Sequence, residues 1–182
     1  MICPGGWASC AGAASTGSFL REKDLPEEEY EALARQVLAQ AGDRVVLHHF
    51  PQVCARLGAP RLHLSLGQLE EDPAIRDRVA LLGVSIHAPE EAARAQALGA
   101  DYVTAGHVFA TDCKKGLPGR GLPWLEEVVK AVSIPVYAIG GIAPDNLAAV
   151  ARTGAAGACL MSALMTCPHP QTYVEQLRQA VS

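Results

Sequence analysis

The chain has 182 residues, 49% hydrophobic and 19% charged, which suits one domain with a sizeable core and excludes a disordered polypeptide. A net charge of -4 argues against non-specific nucleic-acid binding, so an anionic ligand would need a local basic site. No apolar run approaches the ~20 residues of a membrane span, and the six cysteines show neither CxxC nor zinc-type spacing, as expected of reduced thiols in a cytoplasmic protein.

Residues 1–19, MICPGGWASCAGAASTGSF, carry no apolar period and are set apart as an atypical, loosely ordered N-terminus. From Leu20 onward, short apolar runs that read as buried strands alternate with longer amphipathic runs that read as helices. A strand stub leads to a helix from Pro26, with Glu27, Glu28 and Glu29 at its positive end and Tyr30, Leu33, Val37 and Leu38 as its apolar stripe. Strands follow at 44–49, 61–66, 81–86, 101–109, 135–142 and 156–164. Helices are expected at 51–59, around 72–80, and at 89–100, 122–133, 144–155 and 171–181. Counting the stub, this makes seven βα units where a (β/α)₈ barrel needs eight. The pattern therefore means an open parallel sheet, or a barrel whose first βα unit is missing or scrambled.

In a barrel, chemistry gathers at the C-terminal ends of the strands. Those ends carry Arg21 and Lys23, His48 and His49, His63 and Ser65, Ser85 and His87, His107, Gly140 and Gly141, and Met161 and Ser162. The last two ends resemble phosphate sites built from backbone N–H groups. The segment after 101–109 gathers Thr111, Asp112, Lys114, Lys115 and Arg120 among glycines, as an anion-binding loop would, and His107 precedes it as a candidate general acid or base. His48 and His49 are expected on opposite faces of their strand and so make poor joint metal ligands; no metal site is expected.

LREKDL (20–25), GVSIH (83–87), ADYVTAGHVFATDCKKGLPGRGL (100–122), PVYAIGGI (135–142) and LMSALM (160–165) together resemble the thiamine phosphate synthase/TenI superfamily, most closely its TenI branch. The resemblance covers residues 20–182 and implies a (β/α)₈ TIM barrel in thiamin biosynthesis. Its TenI-type enzymes are thiazole tautomerases, which aromatise a carboxythiazole phosphate by proton transfer without a cofactor. On that reading His107 is the catalytic acid/base. Gly140, Gly141, Met161 and Ser162 surround the thiazole phosphate, and Thr111 and Lys114 lie in the closing loop. Arg21 and Lys23 match residues that hold the pyrimidine diphosphate in synthases, and Ser85 lies near the pyrimidine pocket.

Two alternatives stand beside it. One is thiamine phosphate synthase, which joins hydroxymethylpyrimidine diphosphate to thiazole phosphate with Mg²⁺. The other is a non-catalytic thiazole-phosphate-binding protein or an inactive remnant. Synthases usually carry Asn-Asp and Asp at slots that here read His48-His49 and Gln68, donors ill suited to magnesium. The resemblance further implies a small phosphorylated thiazole as partner and is compatible with a homodimer; charge and hydropathy lead to no expectation of a nucleic-acid or membrane partner.

Overall fold

The computed structural model describes residues 2–3, 17–111 and 116–181. Its strands are β1 (Ile2–Cys3), β2 (Gly17–Leu20), β3 (Val45–His48), β4 (Arg61–Ser65), β5 (Leu81–Ile86), β6 (Tyr102–Gly106), β7 (Val136–Ile139) and β8 (Gly157–Cys159). They form one sheet in sequence order. β2 to β8 are all parallel, whereas β1 pairs antiparallel with β2. The sheet curls until β1 comes within 8 Å of β8, measured between Cα atoms. The result is a TIM-barrel-like half-barrel with seven parallel strands among the described residues. Residues 4–16, most of the N-terminal stretch set apart by composition, lie outside the described residues.

The helices are α1 (Glu27–Ala41), α2 (Pro51–Arg56), α3 (Leu66–Glu71), α4 (Pro89–Ala97), α5 (Gly121–Ala131), α6 (Pro144–Arg152), α7 (Ser162–Met165) and α8 (Pro170–Gln179). Strand alternation explains how one sheet serves two cores. Leu62 and Leu64, Leu82, Val84 and Ile86, and Val103 and Ala105 face outward. There they pack with Tyr30, Val53, Leu69, Leu125, Leu147 and Leu177 of the helical layer. The residues between them face inward, where Phe19, Val46, Tyr102 and Cys159 form a smaller second cluster. Burial on both faces is why the strands read as continuous apolar runs.

Three expected elements shift. The helix expected around 72–80 begins at Leu66, because Ser65 and Gln68 form a capping box there. It ends before Pro73, and a 3₁₀ turn spans Pro73–Arg78. The strand expected at 156–164 covers only Gly157–Cys159, and Ser162–Met165 turns into a short helix. The strand expected at 101–109 stops at Gly106.

Candidate active site

The C-terminal ends of the parallel strands open into a cavity of about 1340 Å³. Arg21, Lys23, Ser85, His107, Thr111, Gly140, Gly141, Met161 and Ser162, all expected at a site from sequence, line it together. Lys114, Asp112 and Lys115 lie outside the described residues.

One wall is built where β6 and β7 end. The loop after β6 is clipped to β7: the Val108 N–H donates to the Ile139 carbonyl at 2.9 Å and the Phe109 N–H to the Gly140 carbonyl at 3.0 Å. Gly140 (φ 100°) and Gly141 (φ 63°) occupy the left-handed region that favours glycine. A Cβ on Gly140 would lie 2.6 Å from His107 Cβ, and one on Gly141 2.5 Å from the Ala110 carbonyl oxygen. The double glycine thus lets His107 and its loop press against the turn into α6. Asn146 locks that turn, accepting the Ala143 N–H at 3.0 Å and donating to the Gly141 carbonyl at 2.9 Å. His107 is 9% exposed, and its Nε2 lies 2.9 Å from the Pro118 carbonyl oxygen. A carbonyl can only accept, so in the neutral ring Nε2 carries the hydrogen and Nδ1 keeps a lone pair.

The opposite wall is the end of β2 and β3. β3 lies four strands from β7 in an eight-stranded curled sheet, so the two strand ends face each other across the cavity. Arg21 and Lys23 follow β2, His48 ends β3 and His49 follows it. His48 and His49 both line the cavity, contrary to the expectation of opposite faces. The reason is that alternation stops at His48, and His49 takes φ 80°. Such a conformation costs a non-glycine residue about 1–3 kcal/mol and persists only where its surroundings hold it. Here the His49 N–H donates to the His63 carbonyl at 3.0 Å, and Gln68 Nε2 donates to the His49 carbonyl at 2.8 Å. Gln68 therefore caps α3 and props the His49 backbone.

Beneath these walls lies a polar floor that the strand-end reading did not assemble. His63 is 2% exposed and sits inside the barrel, not on its rim as expected. Its Nδ1 lies 3.1 Å from the Tyr102 hydroxyl and its Nε2 2.8 Å from Ser85 Oγ. Ser85 Oγ in turn lies 3.2 Å from Thr104 Oγ1. The signal that could have found this floor is period two: His63 and Ser65, Gly83 and Ser85, and Tyr102 and Thr104 alternate with apolar residues.

Burial, and secondarily the positive charge of Arg21, hold His48 down to a pKa of about 4. Burial lowers His63 well below the ordinary histidine range, with His48 and Arg21 adding to it. Both rings are neutral near pH 7. Neither the cavity lining nor its floor contributes a carboxylate among the described residues. Imidazoles, hydroxyls and one amide do not match the anionic oxygen set that magnesium takes, so the donors here do not fit that ion. Nor is any group of three or more His, Cys, Asp or Glu among the described residues arranged to hold a metal. What the site offers is the His107 imidazole beside a glycine turn, facing a cationic wall. No described helix is long and apolar enough to cross a membrane.

Comparison with known proteins gives a consistent answer. The sequence profile of the family described as "Thiamine monophosphate synthase" matches residues 9–164. A thiamine-phosphate synthase of Methanoregula boonei is 35% identical over 180 residues, covering 96% of this chain and 83% of that protein. One from Thermus thermophilus is 35% identical over 164 residues, covering 88% and 80%. Among solved structures, the thiamine phosphate pyrophosphorylase of Pyrococcus furiosus superposes with a TM-score of 0.75 at 30% identity, covering 93% of this chain and 84% of that one. These relatives are named as thiamine-phosphate synthases or as a thiamine phosphate pyrophosphorylase, not as TenI proteins, and their names favour condensation over tautomerisation.

Proposed function

The chain belongs to the thiamine monophosphate synthase family, and from that premise we propose that it is a thiamine-biosynthesis enzyme that binds a phosphorylated thiazole and moves a proton on it, as a thiazole tautomerase. The observation that carries this reading is His107: its Nε2–H is committed to Pro118 while Nδ1 is left as a base in the cavity wall, packed on the Gly140–Gly141 turn. Nδ1 would take a proton from one carbon of the non-aromatic ring and return it at another, so that the product is an isomer with an aromatic ring. A group in this role contributes ~10²–10⁴ in rate. Backbone N–H groups near Gly141 and Ser162 would hold the phosphate, with Thr111 and Lys114 closing over it. The division into residues 1–19 and a catalytic domain from 20 onward, a cytoplasmic site of action and a homodimeric assembly belong to the same proposal.

The second reading is thiamine phosphate synthase. The names of the relatives favour it, and Arg21 and Lys23 in the cavity wall give a diphosphate a cationic contact. Against it stands the donor set at His48, His49 and Gln68, which does not suit magnesium. Paired assays on the same preparation separate the two. Aromatisation of the carboxythiazole phosphate that is insensitive to EDTA supports the tautomerase. Thiamine phosphate formed from the pyrimidine diphosphate and thiazole phosphate, dependent on Mg²⁺, overturns it in favour of the synthase. Saturable binding of the thiazole phosphate with neither turnover would leave a binding protein.

A further inference from the structure

The wall opposite His107 has a composition that the phosphate end does not explain. Arg21 has no ion-pair partner among the described residues, and its charge faces two neutral imidazoles. Among the described residues Lys23 pairs only with the exposed Asp24, at 3.9 Å. His48 has its Nδ1 buried with no hydrogen-bond partner among the described residues. A buried N–H without an acceptor is rarer and more costly than a buried lone pair, so the ring hydrogen belongs on Nε2, across the ring from Nδ1. The part of this ring that reaches the cavity lies away from Nδ1. The strained His49 turn holds a second imidazole beside it, the two rings 6.4 Å apart and inclined by 19°.

We propose that Arg21 and the Nε2–H of His48 form an oxyanion subsite, working without a metal, that takes the ring carboxylate of the substrate while its phosphate lies across the cavity. The donor set favours a carboxylate over a metal-bound diphosphate. A diphosphate carries several negative charges and usually arrives with a divalent ion, for which the described wall has no anionic oxygen. A carboxylate carries one charge on two oxygens. That suits one planar guanidinium and one neutral N–H donor, and a charge-assisted pair of this kind is among the stronger hydrogen bonds. The subsite deepens the tautomerase reading and rests on it for the identity of the ligand.

Calorimetric titration tests it with three probes: the aromatic carboxythiazole phosphate, the same thiazole phosphate without the carboxylate, and pyrophosphate with and without Mg²⁺. Wild-type protein is expected to bind the carboxylated ligand about tenfold tighter than the other, with EDTA making no difference; tenfold is ~1.4 kcal/mol. Arg21→Gln and His48→Phe are each expected to reduce that preference below about threefold while holding the decarboxylated ligand within about twofold of wild type. Equal affinity of the wild type for the two thiazoles overturns the proposal. So does pyrophosphate that binds this wall only with Mg²⁺ and competes with the carboxylated ligand, or a loss in both variants that is the same for both thiazoles. The comparison on wild-type protein stands even where a variant fails to fold. Turnover is measured separately: a wild type that prefers the carboxylated ligand but does not isomerise its precursor loses the tautomerase reading and keeps the subsite.

Discussion

His107 Nε2 donates to the Pro118 carbonyl across 2.9 Å, and this single bond decides which nitrogen of the ring can do chemistry. It ties the residue after β6 to the loop that leads into α5, and the Arg120 N–H returns the tie by donating to the His107 carbonyl at 3.1 Å. His107→Ala is expected to lower tautomerase turnover by ~10²–10⁴, the usual contribution of a general acid/base, with a smaller change in affinity for the thiazole phosphate. Single-turnover aromatisation beside equilibrium binding measures both. Unchanged turnover would remove His107 from the mechanism.

Tyr30 sets the opposite wall from beneath. It is fully buried, its hydroxyl donates to the Leu20 carbonyl at 2.9 Å, and it accepts the His48 N–H at 3.0 Å. The paired register of β2 and β3 ends at Leu20 and Leu47, and the hydroxyl bridges the strands at that point. It thereby fixes the directions in which Arg21 and His48 leave their strands. Burial pushes its pKa up to about 12, so it stays a neutral phenol at working pH. Tyr30→Phe keeps the volume and strands two backbone groups, at an expected cost of ~1–3 kcal/mol measured by urea unfolding. The KM for the carboxylated substrate should rise more than kcat falls. A change in stability with unaltered KM would make Tyr30 a structural residue only.

The parts of this fold that follow from local rules were legible in the sequence. The order of the seven strand–helix alternations, the helix after Pro26 and the closure of α4 at Gly99 (φ 89°) follow apolar period and turn chemistry. So does the gathering of strand-end residues around one cavity, because parallel strands in consecutive order carry their C-terminal ends to one side. What was not legible depends on exceptions to those rules. His49 reaches the cavity only through a left-handed backbone that no alternation rule supplies. Leu66 starts a helix because Gln68 reaches back to the Ser65 N–H at 3.2 Å, a contact that outweighs the period around 72–80. His63 looked like a strand-end residue, yet it lies in register with Gly83 within the sheet, a depth that only pairing defines.

The two low-pKa histidines predict an acid-sensitive fold. The unfolded chain binds a proton at His48 near pH 6.5, while the folded chain does so only near 4, because burial and then Arg21 oppose the charge. Below pH 6.5 the unfolded state holds more protons, so stability is fully present above that value and falls as pH drops towards 4. The slope is ~1.4 kcal/mol per pH unit for one such group, or about 3 kcal/mol over the interval, and His63 acts in the same direction. Urea midpoints at pH 7, 6 and 5 should decline in the wild type and decline less steeply in His48→Phe. Parallel declines in the two proteins would show that His48 is not the group responsible.

Gly83 predicts the last effect, through the space it leaves empty. A Cβ at this position would run into the Tyr102 ring and into Nδ1 of His63, the two groups that hydrogen-bond each other beneath the cavity. Both belong to a buried layer, where His63 stacks at 5.3 Å on His48 and meets the edge of Phe19 at 5.0 Å between ring centroids. The His63 ring cannot move without disturbing Ser85 on one side or His48 on the other. Gly83→Ala is therefore expected to destabilise by ~1–3 kcal/mol, the usual cost of overpacking a filled interior. The same shift should move the Ser85 hydroxyl and weaken ligand binding in protein that still folds. Pairing Gly83→Ala with Tyr102→Leu, which removes the ring carbon and hydroxyl nearest the new methyl group, should recover part of the lost stability. A double variant no more stable than the sum of the two single changes would mean that the strain lies elsewhere.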